Sequence, residues 1–293
     1  MMKVAAKCLP CIVERGYKEA SYVTEDQNLL LDVMVKLSKM VGSEYSANAI
    51  PAHIGTLRDR IVKETLGRDP YVELKKLANE RALKLLPTVE DLVEKTSLKS
   101  ERFKIACSIS VVANSVEFDV AGYNFKFENL ETALKIPSLT IDQTLEAFTR
   151  AETARRVLFL TDNAGEIVLD IPLMRVLKSL GATLTVAVKG APVLNDATLN
   201  EALEVGVDKN ADELITTGTD GVGFMFDEVS EEARMSFLEA DLVVAKGMGN
   251  YETLTELEGC GKQVLFLLKA KCLPVARSLG VVRGSNVALL RKL

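Results

Sequence analysis

Three apolar runs in the second half of the chain end in residues that could do chemistry. Val157–Leu160 leads into Thr161-Asp162-Asn163-Ala164-Gly165-Glu166. Thr183–Val188 leads into Lys189-Gly190-Ala191-Pro192-Val193-Leu194-Asn195-Asp196. Leu242–Ala245 leads into Lys246-Gly247-Met248-Gly249-Asn250-Tyr251-Glu252. Carboxylates and carboxamides carry the oxygen donors that hard divalent cations prefer, so Asp162, Asn163 and Asp196 are candidate ligands of one ion. Lys246 is a point charge suited to phosphate, and the glycines after it let backbone N–H groups approach a ligand. Gly165 permits a bend where Glu166 opens a helix, and the exposed N–H groups of a helix start favour an anion. Each motif also has a plainer reading. Asp162, Asn163 and Asp196 suit helix caps, and Lys246 could be a solvated lysine after a glycine turn. Recurrence of the pattern at neighbouring strand ends favours chemistry.

Open α/β sheets bind ligands beyond the carboxyl ends of their strands. Besides the three runs above, Glu213–Thr216 and Val264–Leu268 are short and apolar, and Val287–Leu290 reads as either a helix or an edge strand. Alternation of such runs with helical segments predicts βαβ units and a mostly parallel, doubly wound sheet. The first half reads as helical over residues 25–41, 70–86 and 102–118. The second of these starts after Asp69-Pro70, and proline suits a first helical turn. A turn is expected over Val120–Asn129, then a helix from Thr140-Ile141-Asp142-Gln143 to about Arg155. Gly181 should stop the helix opened by Glu166, and Asn195-Asp196 should cap a helix over Ala197–Val205. The expected organisation is a helical domain over residues 1–150 and an α/β domain over residues 151–293.

Composition narrows the function. The chain has 293 residues and a net charge of −5. It contains no dense run of Lys and Arg, which argues against a nucleic-acid partner. No apolar stretch is long enough to span a bilayer, and Lys3, Lys7, Glu14 and Arg15 interrupt the start as no secretory segment would be. A cytoplasmic protein is expected. Five cysteines, an odd number, argue against a disulfide framework. Cys8-x-x-Cys11 stays open between buried thiols and a metal site completed by a distant cysteine. His53 is the sole histidine, which excludes multi-histidine metal sites. There is neither a P-loop nor a G-x-G-x-x-G opening a helix. The Asp162-Asn163-Ala164 run lacks the second Asp of haloacid-dehalogenase phosphatases, so a phospho-aspartate intermediate is not supported.

Six pieces occur in order along nearly the whole chain: Lys7-Cys8-Leu9-Pro10-Cys11, Gly67-Arg68-Asp69-Pro70-Tyr71, Asp162-Asn163-Ala164-Gly165-Glu166, Asn195-Asp196-Ala197-Thr198, Lys246-Gly247-Met248-Gly249-Asn250-Tyr251-Glu252, and Lys269-Ala270-Lys271-Cys272. Together they resemble the damage-control phosphatase family, catalogued as domain of unknown function eighty-nine, in its stand-alone, prokaryote-type branch. The resemblance implies a metal-dependent phosphatase with a helical domain beside a Rossmann-like α/β domain. It puts the metal ligands on Asp162, Asn163 and Asp196, the phosphate-contacting lysine on Lys246, and substrate contacts on Asn250 and Glu252. It implies Mn, Co, Ni or Mg as the cation, and a small phosphorylated metabolite as substrate, a sugar phosphate or a damaged phosphometabolite. Ala113–Asp119 resembles the family's Asn-containing helix end, with Glu117 where Asp is expected. The expected reaction is hydrolysis of a phosphate monoester by metal-activated water, with Asp162 and Lys246 catalytic and Gly165 and Glu166 on the substrate side. Two rivals stand beside it: an S-adenosylmethionine-dependent carboxyl methyltransferase, an activity described for a related eukaryotic protein, and a non-catalytic metal- or nucleotide-binding protein.

Overall fold

A computed structural model of the chain describes residues 2–116, 127–135 and 138–293. Its strands are β1 (Ile141–Asp142), β2 (Arg156–Leu160), β3 (Thr183–Val188), β4 (Glu213–Thr216), β5 (Leu242–Lys246), β6 (Gln263–Lys269) and β7 (Asn286–Lys292). They form one sheet in the order β1-β7-β6-β5-β2-β3-β4, parallel throughout except for the antiparallel pair β6–β7. From β2 the chain winds outward through β3 to β4, then returns to lay β5 and β6 on the other side of β2. The order therefore reverses between β2 and β5. Beyond the carboxyl ends of such a pair lies the crevice where open α/β sheets bind ligands.

Side chains alternate across the sheet as the pleat requires. Leu158, Leu160, Val243, Ala245 and Phe266 enter the core on one face. Val157, Phe159, Val244, Leu265 and Leu267 enter the core on the other. A parallel sheet buried on both faces needs apolar residues at nearly every position, and this is why the strands read as unbroken apolar runs.

The helices divide by what they bury. α1 (Cys8–Ser21), α2 (Gln27–Glu44) and α3 (Pro51–Leu66) pack Ile12, Leu37 and Val62 into a cluster of their own. Next come α4 (Val72–Glu94), α5 (Lys99–Ala113), α6 (Phe127–Lys135), α7 (Thr144–Thr153) and α8 (Glu166–Ser179). Ala78, Phe103, Ile109 and Phe148 from these helices share one core with Leu169, Leu173 and a face of the sheet. After the short α9 (Leu199–Glu204), the other face is covered by α10 (Glu231–Glu239), α11 (Gly247–Leu254) and α12 (Leu273–Leu279), through Phe237, Leu254 and Val275. The division expected near residue 150 falls inside α7, and the cores do not follow it: one buried cluster runs from Ala78 on α4 to Ala288 on β7. Among the described residues no helix is long and apolar enough to cross a membrane.

Several elements differ from expectation for local reasons. The helix expected over 70–86 starts at Val72, where the Asp69 carboxylate accepts the Tyr71 N–H at 2.8 Å, and it continues through Pro87 to Glu94. The segment expected to open a helix at Thr140 first forms β1, which pairs with Val287 and Ala288. Val287–Leu290 is thus neither helix nor edge but part of the interior strand β7. The helix expected over 102–118 spans Lys99–Ala113, and that over 197–205 starts at Leu199, held by a Thr198–Glu201 capping box. The turn expected over Val120–Asn129 lies outside the described residues up to 126, and Phe127 opens α6.

Candidate functional site

The loops after β2 and β3 are stitched together by backbone. Ala197 N–H donates to Asp162 O and Ala164 N–H to Asn195 O, both at 2.8 Å, and Asn163 and Asp196 face each other as an isolated antiparallel bridge. This brings Asp162 and Asn163, after β2, and Asp196, after β3, to the wall of a single cavity of about 150 Å³. Leu194, just before Asn195 and Asp196, has φ +47°, a left-handed backbone that costs a non-glycine residue about 1–3 kcal/mol. α3 holds it there. The Asp59 carboxylate accepts the Leu194 N–H at 3.1 Å, and Lys63 pairs with Asp59 at 2.7 Å while donating to Pro192 O.

Glycine is required where β5 ends. Gly247 has φ +76°, and a Cβ there would lie 1.9 Å from Asp162 Oδ2. The Asp162 carboxylate occupies the space a side chain would fill. Two carboxamides then hold that carboxylate. Asn114, at the end of α5, donates Nδ2 to Asp162 Oδ2 (2.8 Å) and to Glu166 Oε2 (2.9 Å). Asn163 donates Nδ2 to the same two oxygens, each at 2.9 Å. The Asn114 Oδ1 accepts the Lys269 N–H at 3.0 Å, which fixes its orientation. With its Nδ2 committed to the two acids, Asn163 turns Oδ1, its metal-competent atom, the other way.

Lys246 lies behind this network rather than in the cavity. Its Nζ pairs with Glu166 Oε1 at 2.8 Å and Asp170 Oδ1 at 3.0 Å, donates to Ser110 O at 2.6 Å, and is fully buried. Burial alone would lower its pKa, but Asp170 and Glu166 overcome that and hold it above the ordinary lysine value. Burial, with the neighbouring Glu166 charge, pushes Asp170 up to about 7 against the opposing pull of Lys246. Two buried acids on α8 thus claim the ammonium that was expected to meet phosphate, and Lys246 does not line the cavity. Glu166 is likewise enclosed, and the Gly165 N–H, expected to greet an anion, donates to Asn79 Oδ1 on α4 at 2.7 Å. Asn250 ties strand ends together, donating to Thr161 O (3.1 Å) and Lys246 O (2.7 Å). Lys189 donates to the Gly221 and Gly223 carbonyls at 2.9 and 2.5 Å, with Asp196 Oδ2 at 3.5 Å.

Of the substrate contacts expected from sequence, Glu252 does line the cavity. Burial raises its carboxyl to about 8, against the pull of Arg15 and the Ala52 backbone N–H. The cations at the wall are Lys7, Arg15, Arg58, Lys271 and Arg283, none of them among the site residues expected from sequence. Lys271 is 1% exposed and donates to Asn114 O at 2.9 Å, so it stands next to the residue that holds Asp162. Asn195 also lines the cavity; it is buried, and its Nδ2 has no hydrogen-bond partner. Cys8, Cys11 and Cys272 border the same space, and burial, followed by nearby Glu252, pushes the Cys272 thiol up to about 12. Glu117 lies outside the described residues.

The donor set fits a hard divalent cation. Two carboxylates and one amide oxygen are all oxygen donors, and Mg-type ions take few protein ligands and keep positions for water and phosphate oxygens. Among the described residues no group of three or more His, Cys, Asp or Glu is arranged to hold an ion, so a site here must use the Asn163 amide beside its two acids.

The family model for the damage-control phosphatase ARMT1-like domain matches residues 4–287. A damage-control phosphatase of Archaeoglobus fulgidus is 40% identical over 291 residues, covering 98% of this chain and 99% of its own. One from Pyrococcus horikoshii is 34% identical over 296 residues, covering 99% of each chain. The crystal structure of a DUF89 family protein from Pyrococcus horikoshii superposes with a TM-score of 0.87, at 34% identity and 99% coverage of both chains.

Proposed function

We propose a function on one premise: this chain belongs to the damage-control phosphatase ARMT1-like domain family. Its reaction is hydrolysis of the phosphate monoester of a small metabolite, with a divalent cation held by Asp162, Asn163 and Asp196. The observation that carries this reading is the meeting of those three oxygen donors, from two stitched loops, at the switch point of the sheet. A cation held there, Mn, Co, Ni or Mg, would supply Lewis acidity toward a phosphoryl oxygen and would make water a better nucleophile.

The protein's own groups do the rest. Asn114 and Glu166 orient Asp162 and Asn163, and Lys246 compensates the buried charge of Glu166 and Asp170. Lys246 is therefore a positioning residue. Lys271 and the Asn195 amide present donors toward the phosphoryl oxygens, where charge must be stabilised. Glu252 keeps its proton up to about pH 8, so it offers a hydrogen bond instead of repelling the phosphate. A cavity of about 150 Å³ suits a small metabolite.

The test is hydrolysis of an aryl phosphate by protein stripped with EDTA, then supplied with Mn, Co, Ni or Mg singly. Turnover should vanish with EDTA and return with at least one cation. Asp162→Ala and Asp196→Ala should each lower it by about a hundredfold or more. Turnover that survives both EDTA and Asp162→Ala contradicts the reading. Silence with every cation, together with tight binding of S-adenosylmethionine, points to methyl transfer instead.

A further inference from the structure

We propose that the cavity holds a second oxyanion of the substrate on Arg58, so that the preferred substrate is a phosphate ester carrying a further carboxylate or phosphate. This rests on the phosphatase reading of the Asp162 site.

Arg58 is only 1% exposed, yet it lines the cavity that Asp162, Asn163 and Asp196 share. Its Nε donates to Glu19 Oε2 at 3.0 Å. Its Nη2 is buried and has no hydrogen-bond partner. Buried polar groups are nearly always satisfied, and an exception calls for a cause. Both Leu37 and the stem of this side chain pack closely on a glycine. At Gly16 on α1 a Cβ would lie 2.4 Å from Leu37 Cδ1 and 3.2 and 3.3 Å from Arg58 Cγ and Cδ. The absent side chain leaves room for Leu37 first and for the arginine stem beside it. The result is a guanidinium fixed at its root, with an outer donor left for an acceptor that the protein does not supply.

The charge balance agrees. Arg15 lines the same cavity. Of the acids nearby, Glu19 is engaged by Arg58, and burial keeps Glu252 protonated up to about pH 8. The wall as a whole carries five cationic side chains, Lys7, Arg15, Arg58, Lys271 and Arg283, against three acids, Asp162, Asp196 and Glu252. A planar guanidinium fork matches carboxylate and phosphate geometry better than an ammonium does. Placement agrees as well: Asp59, the next residue on α3, holds Leu194 in front of Asn195 and Asp196. One turn of α3 therefore carries both the brace of the metal loop and the second anion contact, which ties the two ends of the substrate to one rigid element.

The experiment compares matched esters with the metal-loaded full-length protein. One pair is 3-phosphoglycerate against glycerol 3-phosphate; the other is a short diol bisphosphate against its monophosphate. The kcat/KM should be at least about tenfold higher for the doubly anionic member of one pair or both, and the responding pair tells carboxylate from phosphate. In the double variant Glu19→Gln/Arg58→Met, which removes the ion pair together, that ratio should fall to near one, with a melting curve verifying the fold. Arg58→Lys keeps the charge beside Glu19 and loses the fork, and serves the same test if the double variant does not fold. Ratios near one for both pairs in the unaltered protein, or a ratio unchanged by either variant, overturn the proposal. Calorimetry with 3-phosphonopropionate against propylphosphonate reads the subsite even if no ester is hydrolysed. Preference for the carboxylate compound, lost in the variant, upholds Arg58 while the phosphatase reading fails; equal binding of both overturns Arg58 as well.

Discussion

At the scale of single residues, the site depends on where side chains are missing as much as on where they stand. Gly247→Ala would drive a methyl group into the Asp162 carboxylate and put a Cβ on a left-handed backbone. It should lower stability by about 1–2 kcal/mol and weaken Mn binding, as read by melting and by metal titration. Lys246→Met tests the positioning role. Breaking a buried ion pair from one side costs about 3–5 kcal/mol, so a large fall in melting temperature is expected, with partial recovery when Asp170→Asn is added. A Lys246 that touched phosphate would instead raise KM at unchanged stability. Glu252 makes a pH prediction. Its carboxyl, raised by burial to about 8, binds a proton in the folded state that the unfolded chain releases near the ordinary value of about 4.3. The resulting stability is fully present below that value and is lost as pH rises through about 8, at about 1.4 kcal/mol per pH unit within the window. Glu252→Gln escapes this loss, so its melting temperature should gain on the unaltered protein between about pH 5 and pH 8. A constant gap contradicts the assignment.

At the scale of elements, strand ends were legible and helix partners were not. A parallel strand buried on both faces announces itself as an apolar run, and polar residues just beyond it have only the carboxyl-end crevice to occupy. Asp162, Asn163 and Asp196 follow from that alone. Lys246 obeys the same rule at its strand end, but its ammonium is claimed from across the core by Glu166 and Asp170 on α8. The signal for that was present: two acids four residues apart in a helix whose stretch from Glu166 to Met174 is otherwise apolar and buried throughout must meet a buried cation. Lys271, just beyond β6, obeys the strand-end rule, but Asn114 and Arg58 carry no such local mark, since their roles come from the packing of α5 and α3 onto the crevice. The α3 brace is testable. Asp59→Ala removes the acceptor of the Leu194 N–H and should cost about 1–3 kcal/mol. Because Leu194 precedes Asp196, metal affinity should fall too; affinity unchanged in a destabilised variant would show that the brace serves folding only.

At the scale of the whole molecule, α4 and α5 do not stand apart from the sheet, whereas α1, α2 and α3 keep a cluster of their own. α4 and α5 bury Ala78, Phe103 and Ile109 in the core shared with α8, and Asn114 reaches from the end of α5 into the network around Asp162. Residues 151–293 expressed alone would expose that face and should aggregate or melt without cooperativity, whereas the full chain should hold its core together through one main transition. A soluble, cooperative fragment would show that the α/β half needs no such cover. The central claim concerns the ion itself, and electron paramagnetic resonance of manganese added to EDTA-stripped protein, followed alongside aryl phosphate turnover, tests it most directly. Bound manganese and turnover should rise together to about one ion per chain, and both should be lost in Asp162→Ala and Asp196→Ala variants that remain folded. Full turnover with no bound manganese or other divalent cation, or manganese binding undiminished in both variants, would contradict it.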